Sequence, residues 1–455
     1  MARKWIGCLA ALVATAGLAA ADAPTSSDGD AAAPKATPAK PIPPNLPPAA
    51  AAPTPSVVLP PPPTAPCAAC AASSPCAEKL VREACAAGCG CGCDDSYQIR
   101  TNVEYLLWWF KQDHVPMLLG TIPPALDGVN PLPPGSIRSV FGGDHDTLNN
   151  DGQSGARIGV EGFVDPQERF GLDANYFQLE RGAQHASFAS GPGGLPIIGP
   201  TFFDPTTGRE NILLFSEPGF STAALSVNSE TRFWGAEANF RTRVPAVFSD
   251  RTELLLGFRT VQFDESLDVA GSSIALPGVT ATFNGNPNAL SFGYQDSFWV
   301  HDRFYGPQIG FDSESTYRGF FLNVIGKFAV GTMDQTVHIA GVTNFLAPAA
   351  FNVPGGVLAQ RSNIGSYSHD VCTFLPEITV NAGVLIGAHA RAFVGYNFLY
   401  IDELQRVGTA IDGVDARQIP ALFAVPNATS TRPTFTTQDT RFWAQGLDFG
   451  LEFRY

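Results

Sequence analysis

From residue 97 onward, apolar and polar positions alternate with a period of two, the pattern of strands whose two faces meet different surroundings. The closing stretch shows it most clearly. Leu447, Phe449, Leu451, Phe453 and Tyr455 fall on one face, and Gly446, Asp448, Gly450, Glu452 and Arg454 on the other. In 390–400, Ala392, Val394, Tyr396, Phe398 and Tyr400 alternate with Arg391, Phe393, Gly395, Asn397 and Leu399. In 320–330, Leu322, Val324, Phe328 and Val330 face away from Asn323 and Lys327. One stretch, "ELLLGF" from Glu253, allows a shift of face near Thr260. An edge strand of a soluble sandwich would bury such stripes too, so the connections have to decide.

The pattern predicts strands over 97–112, 156–164, 170–180, 231–244, 252–269, 298–312, 319–339, 372–386, 390–405 and 440–455. Short turns such as "DPQER", "PAVFSDR" and "GAH" alternate with long loops. Short turns at one end and long loops at the other are the plan of an outer-membrane barrel, with both termini on the short-turn, periplasmic side. The fold class expected is therefore all-β, an up-and-down antiparallel transmembrane β-barrel of about ten strands, or twelve if 137–141 belongs to a further hairpin.

Composition agrees. Only 15% of residues are charged, against 45 Gly and 33 Phe, which suits many strands whose outer faces meet hydrocarbon. Residues 1–21, with Arg3 and Lys4 ahead of an apolar run, read as a secretory signal. Beyond it no run of about 18 apolar residues predicts a membrane helix. Residues 22–66 are a Pro/Ala-rich linker, semi-rigid and unable to bury a core. Residues 67–95 form a Cys-rich module, and 96–455 the barrel. The formal net charge of −14 becomes −16 once Arg3 and Lys4 are removed, which speaks against nucleic acid as a partner.

The module carries Cys67, Cys70, Cys76, Cys85, Cys89, Cys91 and Cys93. In an exported chain disulfides are the first expectation, with metal–thiolate binding the alternative and one thiol left over in either case. A short repeat, "RFWGAEANF" at Arg232, "RFYGPQIGF" at Arg303 and "RFWAQGLDF" at Arg441, marks three junctions where a long loop enters a strand. It sets Trp234, Tyr305 and Trp443 at one depth, as an interfacial aromatic girdle requires.

The faces opposite the apolar stripes assign Arg100, Glu104, Arg157, Glu161, Asp173, Glu237, Arg241, Arg259, Lys327, Glu377, Arg391, Asp448, Glu452 and Arg454 to the lumen. Three His-Asp pairs, His145-Asp146, His301-Asp302 and His369-Asp370, lie in or beside long loops. Adjacent residues of an extended chain point to opposite sides, so an outer-membrane hydrolase built on them is the least favoured of three readings. "GGDHDTLNNDGQSG" from Gly142 is rich in oxygen ligands but misses the spacing of a calcium loop. No catalytic residue, metal site or cofactor is assigned.

Asp448, Gly450, Phe453 and Tyr455 resemble the C-terminal signal by which the barrel-assembly machinery recognises outer-membrane barrels. The stretches "VEYLLWWFK", "SGARIGVEGFV", "FGLDANYFQLE", "FWGAEANF", "LLGFRTVQFDESL", "DRFYGPQIGF", "IGKFAVG", "RSNIGSYSHD", "AFVGYNFLYI" and "GLDFGLEFRY" cover 97–455 in order. They resemble the seventh putative β-barrel porin family of planctomycete bacteria. The chain departs from that family after "FLYI", reading "RVGTAID" from Arg406 where Arg-Pro-Gly and then Gln-Ile-Asp are usual. The resemblance implies an outer-membrane barrel embedded in lipid and assigned to passive diffusion of small hydrophilic solutes. The competing expectation is a plugged barrel, its lumen filled as ten-stranded barrels tend to be, which anchors the envelope through a partner of the Cys-rich region. Permeant solute and oligomeric state are left open.

Overall fold

The computed structural model describes residues 99–455, apart from 130, 144–146, 149–150, 166, 247–248, 280–290, 347–349 and 423–429. The signal, linker and cysteine module, His145-Asp146 and part of the Gly142 loop lie outside the described residues. Ten strands form a ring: β1 Ile99–Phe110, β2 Gln153–Phe163, β3 Phe170–Leu179, β4 Ser221–Val244, β5 Arg251–Ala275, β6 Ser291–Tyr317, β7 Phe320–Leu346, β8 Gly365–Ile386, β9 Ala390–Gln405 and β10 Asp439–Arg454. Each pairs antiparallel with the next, and pairing of β1 with β10, Arg100 opposite Arg454 through Phe110 opposite Ala444, closes the barrel. The tight turn between β6 and β7 places Arg318 and Gly319 at φ 49° and 84°, the left-handed pair that matches strand twist in a two-residue hairpin.

Ten is thus the strand number. Arg138–Phe141 is a strand but not a member of the ring; it pairs with Leu119–Ile122 in a separate four-stranded sheet with Ile197–Asp204 and Arg209–Ile212. Gly182–Ala189 continues the line of β3 along the upper half of β4, from Ala224 to Thr231.

Several strands are far longer than the alternation predicted. β6 and β7 have 27 residues each, where about 9–11 cross a membrane. The pleat keeps its parity throughout, while the polarity of the two faces reverses partway. On β4, Trp234, Ala236, Ala238, Phe240, Thr242 and Val244 point outward near the short turns; beyond Trp234 the outward residues are Arg232, Glu230, Asn228, Ser226, Ala224 and Thr222. The inward face runs oppositely, from Arg241, Asn239 and Glu237 to Phe233, Val227 and Leu225. The face shift considered near Thr260 does not occur. Glu253, Leu255, Arg259, Val261, Phe263, Glu265 and Leu267 all point inward, and pairing with β4 and β6 is unbroken.

Trp234 to Val244 spans roughly 25 Å at about 3.3 Å per residue and about 40° of tilt, the height of a lipid-facing band. From Trp234 to Ser221 the wall rises by roughly 30 Å more. There its inner residues, among them Leu225, Val269, Phe292, Phe298 and Val337, pack against Leu118, Phe141, Ile198, Phe215, Leu358 and Val414 of the long loops. Below, the lumen is polar and the lipid face apolar; above, a head is built like a soluble protein, apolar inside and polar outside.

Inward glycines let the lower barrel hold large polar side chains. A Cβ on Gly159 would lie 2.0 Å from Asn102 Oδ1 and 2.3 Å from Asn175 Oδ1, and one on Gly395 would lie 2.2 Å from Asn381 Oδ1. Each asparagine therefore lies flat across the backbone of a neighbouring strand.

Candidate functional site

Within the lower barrel the structure brings the fourteen lumen residues read from sequence into three adjoining groups of ion pairs, together called the network below. Nearest the short turns, Arg100 pairs with Glu161 at 3.4 Å and with Glu168 at 2.5 Å. Arg391 pairs with Glu314 at 2.5 Å and with Glu452, which also holds Arg454 at 3.0 Å. Above them Arg241 faces Glu161, Asp173, Glu253 and Asp312 at 3.3, 3.4, 2.7 and 2.5 Å. Arg157 bridges Glu104 at 2.7 Å and Asp448 at 3.2 Å, Arg259 pairs with Glu377, and Lys327 with Glu237.

Most of these groups are buried, Arg454 being the most open at 33% exposure of its side chain. The space open to water among them and their neighbours is about 110 Å³. Every cation of the network is occupied by carboxylates, so the charges hold opposite walls together rather than standing ready for a passing ion. Sequence reasoning did not place Glu168, Arg251, Asp312 or Glu314 in the network: Glu168 and Arg251 sit in or beside a short turn, and the predicted strand stopped at 312 where β6 runs on to Tyr317.

Above the network the lumen is filled with aromatic rings. Trp108, Phe110, Phe177, Phe233, Phe263, Phe304 and Phe442 form one buried cluster with Leu106, Met333, Leu375 and Leu399. Ring centroids lie 5.5 Å apart for Phe110 and Phe233, 4.7 Å for Phe263 and Phe442, and 5.3 Å for Trp108 and Phe177. Trp108, Phe233, Phe304 and Phe442 are wholly shielded from solvent. Trp108 Nε1 donates to Asp448 Oδ1 at 2.7 Å, which fastens the stopper to the polar layer below. On the other side the Arg406 guanidinium lies 5.4 Å from the Phe263 ring and 5.6 Å from that of Phe442, and donates to both Glu265 oxygens at 2.7 Å. Arg406 opens the stretch that departs from the family pattern, and here it caps the stopper.

The "RF[WY]" repeat does three jobs at each occurrence. Trp234, Tyr305 and Trp443 point outward and sit in a belt with Tyr176, Tyr400 and Trp109, which the sequence reading did not include. Arg232, Arg303 and Arg441 point outward just beyond that belt. The middle residues, Phe233, Phe304 and Phe442, point inward and build the stopper.

In the closing strand, Asp448 and Gly450 point inward, and the Phe393 ring lies over Gly450 so closely that a Cβ there would be 2.1 Å from Phe393 Cζ. Phe453 and Tyr455 are outward and exposed. The second His-Asp pair is split by the pleat. His301 points outward and bonds Asp264 across the strand, whereas Asp302 points inward and is fully buried. His369 and Asp370 are both exposed. Among the described residues no group of three or more His, Cys, Asp or Glu is arranged to hold a metal ion.

In the head, Asp296 is buried and accepts from the amides of Val357 at 2.9 Å, Leu358 at 2.8 Å and Ala359 at 3.2 Å. Burial pushes its carboxyl up to about 7 against the pull of those three donors.

Among solved structures, the chain is similar to the outer membrane protease OmpT of Escherichia coli, at 13% identity and a TM-score of 0.35, over 79% of this chain and 98% of that one. It is similar to a Pseudomonas aeruginosa FadL homologue at 8% identity and 0.22, over 79% and 90%. It is also similar to an anion-selective porin from Comamonas acidovorans at 8% identity and 0.15, over 79% and 99%. No curated protein matches the chain. The family model described as Putative beta barrel porin-7 matches residues 101–455, the whole of the described barrel but for its first two residues, and the chain belongs to that family of outer-membrane barrels.

Proposed function

We propose that this outer-membrane barrel is closed to passive diffusion and anchors the folded head on its long-loop end at the cell surface, with the N-terminal region on the periplasmic side. The aromatic stopper carries this reading. It spans the lumen at the level of the girdle, and the head core lies beyond it, so a solute would have to displace two packed layers in series. The cysteine module would then meet an envelope partner beneath the barrel. No reaction is assigned, since the pleat separates His301 from Asp302.

Passive diffusion of small hydrophilic solutes is the second reading, favoured by membership of a porin family and by the polar space beneath the stopper. Planar-bilayer recordings separate the two. A closed barrel gives no discrete steps from correctly folded protein. Steps whose ion selectivity changes in Glu104→Gln or Arg391→Gln would overturn the closed reading and establish a pore lined by these residues.

A further inference from the structure

The outer wall of the head carries an exposed indole in a polar field. Trp299 lies on β6 six residues beyond Tyr305, roughly 15 Å above the girdle, and is 46% exposed. Its outward neighbours along the strand are Ser297 and His301. Across the β7 side stands His338, its ring 5.2 Å away and inclined by only 9°, held by Ser366 Oγ at 2.7 Å from Nδ1. Across the β5 side the residue directly opposite is Ser266, whose side chain is too short to cover an indole. One face of Trp299 is therefore backed by a fixed imidazole, and the other stands open above Ser266.

The rim of that open face is acidic. Asp264 and Asp268 flank Ser266 on the same outward face, two residues to either side. Both are fixed by neighbours on β6, Asp268 by Ser297 Oγ at 2.5 Å and Asp264 by His301. A lipid anchor would not be ringed by carboxylates so far above the apolar band, and nucleic acid would be repelled by them. A bare ring face with carboxylates at its edge fits the two surfaces of a pyranose: axial C–H groups lie on the aromatic face while equatorial hydroxyls donate to the acids. The short side chains of Ser266 and Ser297 beside the indole leave room for neighbouring units of a chain.

We infer that the Trp299 platform on the head is a binding site for an uncharged hexopyranose polysaccharide. The inference extends the role of the head in the closed-barrel reading, yet binding in detergent does not depend on whether the lumen conducts, so either can fail without the other.

The test is isothermal titration of the full-length mature protein in an amine-oxide detergent, because maltoside detergents carry the chemistry of the ligand. The probes are cellohexaose and maltohexaose. Saturable binding of at least one is expected, with quenching of tryptophan fluorescence. Trp299→Ala should weaken it by about tenfold or more, equivalent to about 1.4 kcal/mol. Ser266→Phe, which covers the open face and leaves the indole in place, should do the same. Heat-dependent gel migration confirms that each variant is folded. Absence of binding by both probes, or undiminished binding in either folded variant, overturns the inference.

Discussion

Arg241 is the point at which the electrostatics of the lower barrel can be tested most sharply. Its guanidinium faces four carboxylates within 3.4 Å and its side chain is only 7% exposed. Removing it in Arg241→Leu leaves those acids in a confined space with fewer cations. The cost is not four times that of one pair, because Arg100 still holds Glu161 and Arg251 still holds Glu253 at 3.0 Å. The groups that lose most are Asp312 and Asp173. Breaking one buried pair by deleting a partner costs about 3–5 kcal/mol, so a loss near the middle of that range, about 4 kcal/mol, is expected for the hub. Asp312→Asn in the same chain should return part of it, with a coupling of about 1–3 kcal/mol. Arg454→Gln, at the open mouth, should cost at most about 1 kcal/mol. Urea unfolding in lipid vesicles, followed by tryptophan fluorescence, measures these variants beside the Asp312→Asn single variant and the unmodified protein, which close the cycle. A loss under about 0.5 kcal/mol for Arg241→Leu, or strict additivity of the double variant, would refute the hub.

The reversal of polarity along β4 predicts two different outcomes for one substitution. Ala238→Arg, in the lipid-facing band, should cost about 2–4 kcal/mol, and Ala224→Arg, on the same face of the head, less than about 0.5 kcal/mol; equal costs in the vesicle assay would mean that the membrane boundary is misplaced. Asp296 predicts a pH dependence. Its folded pKa of about 7 lies above its ordinary value of 3.8, so unfolding releases a proton between those values. The stability it lends is full below about pH 4 and is lost as pH rises through about 7. Hydrogen exchange at Val357, Leu358 and Ala359, corrected for intrinsic rates, should show greater protection near pH 5 than near pH 8, and Asp296→Asn should abolish the difference. Equal protection in the unmodified protein would count against it.

The ten strands were legible because a barrel wall in lipid writes its period of two in strong contrast, as in Leu447 to Tyr455. The upper ends of β4 to β8 were not, because there the two faces exchange polarity and small or neutral residues such as Ala223, Ala224, Ser226, Ala270 and Ser272 interrupt both, so that contrast fades. Lumen side chains such as Glu104 and Arg391 were readable from parity alone. Their partners were not: Arg406 and Glu265 are 141 residues apart, and nothing local announces that they meet. The stopper was missed for a different reason. Phe233, Phe304 and Phe442 stood in the repeat beside the girdle residues, but inward positions were expected to be polar, and that expectation holds only below the girdle. The twelve-strand alternative failed because a run of strand-forming residues does not say which sheet it joins, and Arg138–Phe141 joined the loops.

The three-residue repeat has a mechanical consequence. Because its flanking residues face outward and its middle residue inward, sliding any of these strands by one position would bury an arginine and a tryptophan or tyrosine in the lumen and put the sealing phenylalanine in the headgroups. The vertical position of the seal is therefore geared to the bilayer surface. A thicker or thinner membrane has to adapt to the protein, since the plug cannot migrate along the barrel axis to accommodate it.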